Sequence, residues 1–212
     1  MSKILHYVFD PLCGWCYGAS PTVAALADHP AFRLELSPSG LFADEGARPM
    51  NDEFAAYAWS NDQRIARLTG QPFSERYRQQ VLGDRQQAFD SGAATLALTA
   101  VALTEPSREV AALKAIQQAR YVDARDVTRR ESLAVLLSEA GMTLAAARLS
   151  QPDAALLAAT QARIRQTRGV MSALGVHGVP TFIIEEGGRH QLVRSDAVYS
   201  DPQTFIKQLL SA

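Results

Sequence analysis

The most constraining feature of this 212-residue chain is the stretch His6-Tyr7-Val8-Phe9-Asp10-Pro11-Leu12-Cys13-Gly14-Trp15-Cys16-Tyr17-Gly18-Ala19-Ser20-Pro21. The apolar run from Ile4 to Phe9 reads as a buried strand. Asp10-Pro11 ends it, because a proline disfavours helical geometry in the residue before it and donates no ladder hydrogen bond. A helix is expected to follow, opened by the cysteines. Cys13 and Cys16 are the only two cysteines of the chain. Residues i and i+3 on a first helical turn share a face, so both sulfurs come within disulfide range without backbone movement.

A stapling disulfide would close so short a loop that the chain-entropy model credits it with only about 2 kcal/mol. A zinc half-site needs two more ligands, and none of His6, His29, His177 and His190 forms a spaced pair with another, so no metal is expected. A redox dithiol fits best, since a CxxC between a strand and a helix in an α/β pattern marks one. In that reading Cys13 sits where free N–H groups and the positive end of the helix dipole favour a thiolate. Cys16, one turn inward, is expected to be more buried, to keep its proton and to act as the resolving thiol. Gly14-Trp15 place no charge between them.

The rest of the chain frames this site. Phe32-Arg33-Leu34-Glu35-Leu36 alternates with period two and predicts a second strand. Pro21 lies inside the predicted helix from Cys13 towards Asp28 and should kink it. Residues 37–50 carry no helical or strand period and are long enough for a functional lip. From Asn51 to about Ser150 the chain reads as helical. Phe89, Ala93, Leu96, Ala97 and Ala100 share one face, as do Leu133, Leu136, Leu137 and Ala140. Thr128-Arg129-Arg130-Glu131 has the capping-box pattern opening the latter helix, and Gly141 closes it. A long helix is predicted over 152–174, with Leu157, Ile164 and Met171 on its buried face. A turn and an apolar strand beginning at Pro180 follow. Gly187-Gly188 marks a hairpin leading to an edge strand at 191–194. Asp201 and Pro202 open a last helix with Phe205, Ile206, Leu209 and Leu210 inward.

Net charge of −1 with scattered arginines leaves no footprint for nucleic acid. No apolar run approaches the ~18 residues of a membrane span. Removal of a signal peptide would take the cysteines with it, so a cytoplasmic protein is expected. Nothing in the sequence specifies an oligomeric state.

With these residues in view, the chain resembles the thioredoxin-like superfamily, specifically the DsbA-type branch with a helical insertion, close to the cytoplasmic FrnE-like proteins. The resemblance rests on Asp10-Pro11-Leu12-Cys13-Gly14-Trp15-Cys16-Tyr17-Gly18 and Gly178-Val179-Pro180-Thr181-Phe182. Weaker support comes from Gly40-Leu41-Phe42 leading to Arg48-Pro49-Met50, and from Phe89-Asp90-Ser91-Gly92. It implies an α/β, thioredoxin-like fold interrupted by a large all-helical insertion, with residues 1–39 and 151–212 forming the discontinuous thioredoxin-like domain and 40–150 the insertion. It further implies that Cys13 attacks, Cys16 resolves, and Pro180 is a cis-proline facing them, exposing the Val179 backbone to an extended substrate. Gly14, Trp15, Val179, Leu41, Phe42 and Met50 are the expected substrate-binding residues. The implied activity is reduction or isomerisation of protein disulfides through the redox-active dithiol alone, with glutathione as a possible reductant and disulfide-containing proteins as partners. Two other readings stand beside it. One is a glutathione-dependent small-molecule enzyme like the kappa-class transferases and 2-hydroxychromene-2-carboxylate isomerases, which share the scaffold but carry serine at the position of Cys13. The other is a binding module with a vestigial dithiol.

Overall fold

The computed structural model describes residues 3–195 and 197–211. Its strands in chain order are β1 (Lys3–Phe9), β2 (Phe32–Pro38), β3 (Arg48–Pro49), β4 (Ala88–Phe89), β5 (Thr181–Glu186) and β6 (Arg189–Val193). The helices are α1 (Gly14–Gly18), α2 (Ser20–Ala27), α3 (Asp52–Thr69), α4 (Glu75–Gln80), α5 (Gly92–Thr104), α6 (Glu109–Tyr121), α7 (Arg130–Glu139), α8 (Thr143–Ser150), α9 (Ala154–Ala173) and α10 (Pro202–Leu210).

The main sheet has the order β2-β1-β5-β6. β1 and β2 run parallel, while β5 lies antiparallel to both β1 and β6. Period-two alternation sorts the side chains of this sheet onto two faces. Leu5, Tyr7, Phe9, Phe182 and Ile184 face the larger core with Leu26 and Phe205. Val8 and Ile183 face the other way, against Met171 of α9. The mixed α/β architecture, a thioredoxin-like sheet with a large helical region between β2 and β5, is the expected one.

Several elements differ from expectation for local reasons. Pro21 does not kink one helix; it stands in the first turn of a second, α2, after a break at Ala19. A proline suits that turn, where its missing N–H has no partner to lose. The lip is short of free coil: Arg48 and Pro49 pair with Phe89 and Ala88 in a small antiparallel sheet, so the stretch from Asn51 is not wholly helical. Thr128 does not cap α7. Its hydroxyl bonds Asp126 instead, and Arg129 takes the N-cap position without a side-chain bond. On α9 the buried stripe is Leu156, Thr160, Ile164, Thr167 and Met171, whereas Leu157 is exposed. Leu210 of α10 also faces solvent. The Gly187-Gly188 turn joins β5 to β6 with both φ positive, which glycine adopts without steric cost.

Candidate active site

Asp10 sets the geometry at the end of β1. Fully buried, it accepts hydrogen bonds from the Leu12 N–H at 2.9 Å, the Phe42 N–H at 3.0 Å and the Ser91 hydroxyl at 2.7 Å. One side chain thus ties the turn before Cys13 to the lip and to the start of α5. Burial raises its carboxyl above the ordinary value, opposed by the hydrogen bonds from Leu12, Phe42 and Ser91. On the other side of the turn the Tyr121 hydroxyl donates to the Leu12 carbonyl at 2.7 Å, and Tyr7 donates to the Cys16 carbonyl at 3.1 Å.

Cys13 is the N-cap residue of α1, with extended backbone (φ −80°, ψ 119°) and its carbonyl accepting from Tyr17 at 3.0 Å. Its Sγ lies 3.8 Å from the carbonyl oxygen of Val179. The segment just before β5 thus reaches the dithiol across the chain at Val179, and the Val179–Pro180 peptide bond is cis. Cys13 is 7 % exposed and Cys16 not at all. Burial pushes the Cys16 thiol well up, and its hydrogen bond with Cys13 adds to this. Both cysteines are free thiols here.

Gly14 and Gly18, one helical turn apart, form the face of α1 that packs on α3. A β-carbon at Gly14 would stand 2.5 Å from Asp62 Oδ1, and one at Gly18 would stand 2.7 Å from Ile65 Cγ2. The glycines are therefore needed for helix approach, and Gly14 points towards α3. Trp15 is half-buried, edge-on to Tyr199 with ring centroids 5.1 Å apart, and Arg64 lies 5.6 Å over it. Of the three lip residues expected to bind substrate, Leu41 is the exposed one. Phe42 is half-buried against Phe89 at 4.8 Å, and Met50 is 4 % exposed within the core. Arg168 of α9 holds the beginning of the lip through the carbonyls of Ser39 at 2.9 Å and Gly40 at 2.6 Å.

Local sequence did not reveal the groups under the motif. Asp62 is 4 % exposed and accepts from the Tyr77 hydroxyl at 3.0 Å. Burial pushes its carboxyl up to about 7, with Tyr77 and Arg120 opposing. Arg120 is itself buried, its guanidinium 5.1 Å from the Phe89 ring and 5.6 Å from that of Tyr77. Neither residue belongs to a motif; the polar run Ser60-Asn61-Asp62-Gln63 reads as a solvated helix face.

Chemically, the site presents one nearly covered thiol at a helix start, beside a backbone carbonyl, with a second thiol sealed one turn below. The family model of the DSBA-like thioredoxin domain matches residues 4–210. The structure of cytosolic disulfide reductase DsbM from Pseudomonas aeruginosa is similar, with 33 % identity, a TM-score of 0.83, and coverage of 99 % of this chain and 100 % of that one. The same protein with GSH aligns at 31 % identity and a TM-score of 0.82, over 98 % of both chains. A structure from Nitrosomonas europaea, at 22 % identity and a TM-score of 0.81, covers 100 % of this chain and 97 % of that one, and speaks for the fold alone. No curated protein matches the chain. With its paired thiols and a family match running from β1 to α10, the chain belongs to the DSBA-like thioredoxin domain family, a family of thiol–disulfide oxidoreductase enzymes.

Proposed function

We propose that this chain reduces and isomerises protein disulfides in the cytosol, with Cys13 attacking and Cys16 resolving. The observation that carries this reading is the contrast between the two thiols. Cys13 lies 3.8 Å from the Val179 carbonyl at the rim of the site, while Cys16 is fully buried behind it. Cys13 thiolate attacks one sulfur of a substrate disulfide, forming a mixed disulfide and releasing the other substrate sulfur as a thiolate that takes a proton. Cys16 then loses its proton and attacks the Cys13 sulfur. The substrate leaves as a dithiol and the enzyme as a Cys13–Cys16 disulfide, two electrons having passed to the substrate. In isomerisation the released substrate thiolate instead attacks elsewhere and frees Cys13. The Val179 and Pro180 backbone offers an edge to an extended substrate, flanked by Trp15 and Leu41; Gly14 contributes by letting α1 sit deep.

Glutathione is the proposed electron donor: two glutathione thiols reduce the Cys13–Cys16 disulfide and leave as oxidised glutathione. The relative bound to GSH supports this, and the relative named a cytosolic disulfide reductase supports the compartment. Among the described residues no helix is long and apolar enough to cross a membrane. Residues 1–39 and 151–212 are proposed to carry the chemistry, and 40–150 to shape access to it.

Expressing Cys16→Ala in the cytosol during oxidant stress tests the reading. Proteins disulfide-linked to Cys13 should accumulate, and the parent dithiol should equilibrate with glutathione near the cytosolic poise. A potential above about −150 mV, close to the strong oxidants of this superfamily at about −120 mV, without such adducts, would overturn it.

A further inference from the structure

The sheet face that carries α9 holds a second cluster of chemistry-bearing side chains. Strand parity puts His6 of β1, Glu35 of β2, Glu185 of β5 and His190 of β6 on this one face. His6 is directly opposite Glu35 in register, and Glu185 is directly opposite His190. α9 covers Val8 and Ile183 on the same face, and the four polar residues line a groove of about 940 Å³ or stand at its edge. His6 Nε2 is 2.8 Å from Glu185 Oε2, and His190 Nε2 is 3.5 Å from the same oxygen. The ligand atoms of His6, Glu185 and His190 all lie within 4.8 Å of one another.

We propose that His6, Glu185 and His190 form a binding site for a borderline divalent cation of the zinc class, separate from the dithiol. Zinc held at about 2.0–2.2 Å by imidazole nitrogen and carboxylate oxygen needs tetrahedral ligand atoms about 3.3 Å apart. The separations of 2.8 and 3.5 Å bracket that value, and the remaining pair lies within 4.8 Å. Two imidazoles with one carboxylate suit zinc and its neighbours better than magnesium or calcium, which prefer oxygen.

The surroundings of His6 point the same way. Its other nitrogen, Nδ1, faces Ser37 Oγ at 3.4 Å and Glu35 Oε2 at 3.7 Å, while Glu35 Oε1 is engaged by Arg33 at 2.7 Å. With the ion bound, a proton on Nδ1 directed at these oxygens leaves the Nε2 lone pair for the metal beside Glu185, the carboxylate–histidine–metal arrangement that orients metal-binding imidazoles. Three protein ligands leave the fourth position to water or to a molecule in the groove. Zinc entry takes the place of the hydrogen bond between His6 Nε2 and Glu185 Oε2, and any proton it displaces passes to solvent.

Because paired thiols bind zinc themselves, the test uses the full chain carrying Cys13→Ser and Cys16→Ser. Equilibrium dialysis with zinc should show one ion per chain. Cobalt(II) titration should give visible d–d bands without sulfur-to-cobalt charge transfer. His190→Ala and Glu185→Gln lie at the rim, and with unchanged circular dichroism each should abolish stoichiometric binding. Glu35→Gln, which leaves all three ligands, should weaken it about 10- to 100-fold. Absence of saturable zinc binding by the thiol-free chain overturns the proposal, as does stoichiometric binding that survives both His190→Ala and Glu185→Gln.

Discussion

Replacing Asp62 with asparagine should stabilise the protein at alkaline pH and flatten its pH dependence. The Asp62 carboxyl is sealed under the dithiol motif, with Oδ1 against Gly14 and Oδ2 accepting from Tyr77. Burial dominates its environment and pushes it up to about 7 from 3.8, the Tyr77 hydrogen bond and the charge of Arg120 opposing. The folded chain therefore keeps a proton on Asp62 that the unfolded chain gives up between those values. Its contribution to stability is fully present below the unfolded value and is lost as pH rises through the folded one. A displacement of roughly three units at ~1.4 kcal/mol each amounts to about 4 kcal/mol across that window. Asparagine keeps the shape and an acceptor for the Tyr77 hydroxyl, but stays neutral. Urea unfolding of the reduced parent and of Asp62→Asn at about pH 5 and about pH 8 measures the difference. That interval covers roughly two of the three units, so the variant should gain about 3 kcal/mol relative to the parent between the two pH values. Parallel stability profiles for the two proteins would show that Asp62 is not a buried protonated acid and would refute the reasoning.

Gly18→Ala should lower the melting temperature by the equivalent of about 1–3 kcal/mol, because its β-carbon would meet buried Ile65 Cγ2 at 2.7 Å; an unchanged melting temperature would mean that α1 and α3 separate freely. Asp10→Ala strands three donors around the turn before Cys13 and should cost about 3 kcal/mol or more in denaturant unfolding. In the native protein an alkylating reagent should label Cys13 and leave Cys16 unlabelled until denaturant is added, as their exposures of 7 % and 0 % imply; mass spectrometry showing equal native labelling would contradict the proposed roles. Asp153→Ala removes the N-cap bond to the Leu156 N–H at 2.6 Å and should cost about 1 kcal/mol, read from the same unfolding curves.

Local physics made much of the chain readable. The strand ending at Asp10-Pro11, the dithiol at a helix start, the hairpin at Gly187-Gly188 and the cap at Asp201 each depend on residues within a few positions of one another. Their spacing therefore carried the information, and so did the α/β order of strands around a helical block. Errors arose where two local solutions were close in energy. Pro21 could kink a helix or begin one, and Thr128 had Asp126 within reach as well as the backbone of α7. Which leucine of α9 turns inward depended on the sheet it meets, so Leu156 is buried and Leu157 is not.

The sequence by itself determined the paired thiols, the strand that delivers them and the helix that starts at Cys13, because those follow from neighbours along the chain. Tertiary structure alone decided what surrounds them. Asp62 becomes a buried acid only because α3 lies against Gly14, and Met50, expected to bind substrate, is buried within the large core. His6 and His190, unpaired along the sequence, meet at Glu185 because β5 runs between β1 and β6. Burial and the convergence of charges depend on which distant segments pack together, and no spacing along a single chain encodes that distance.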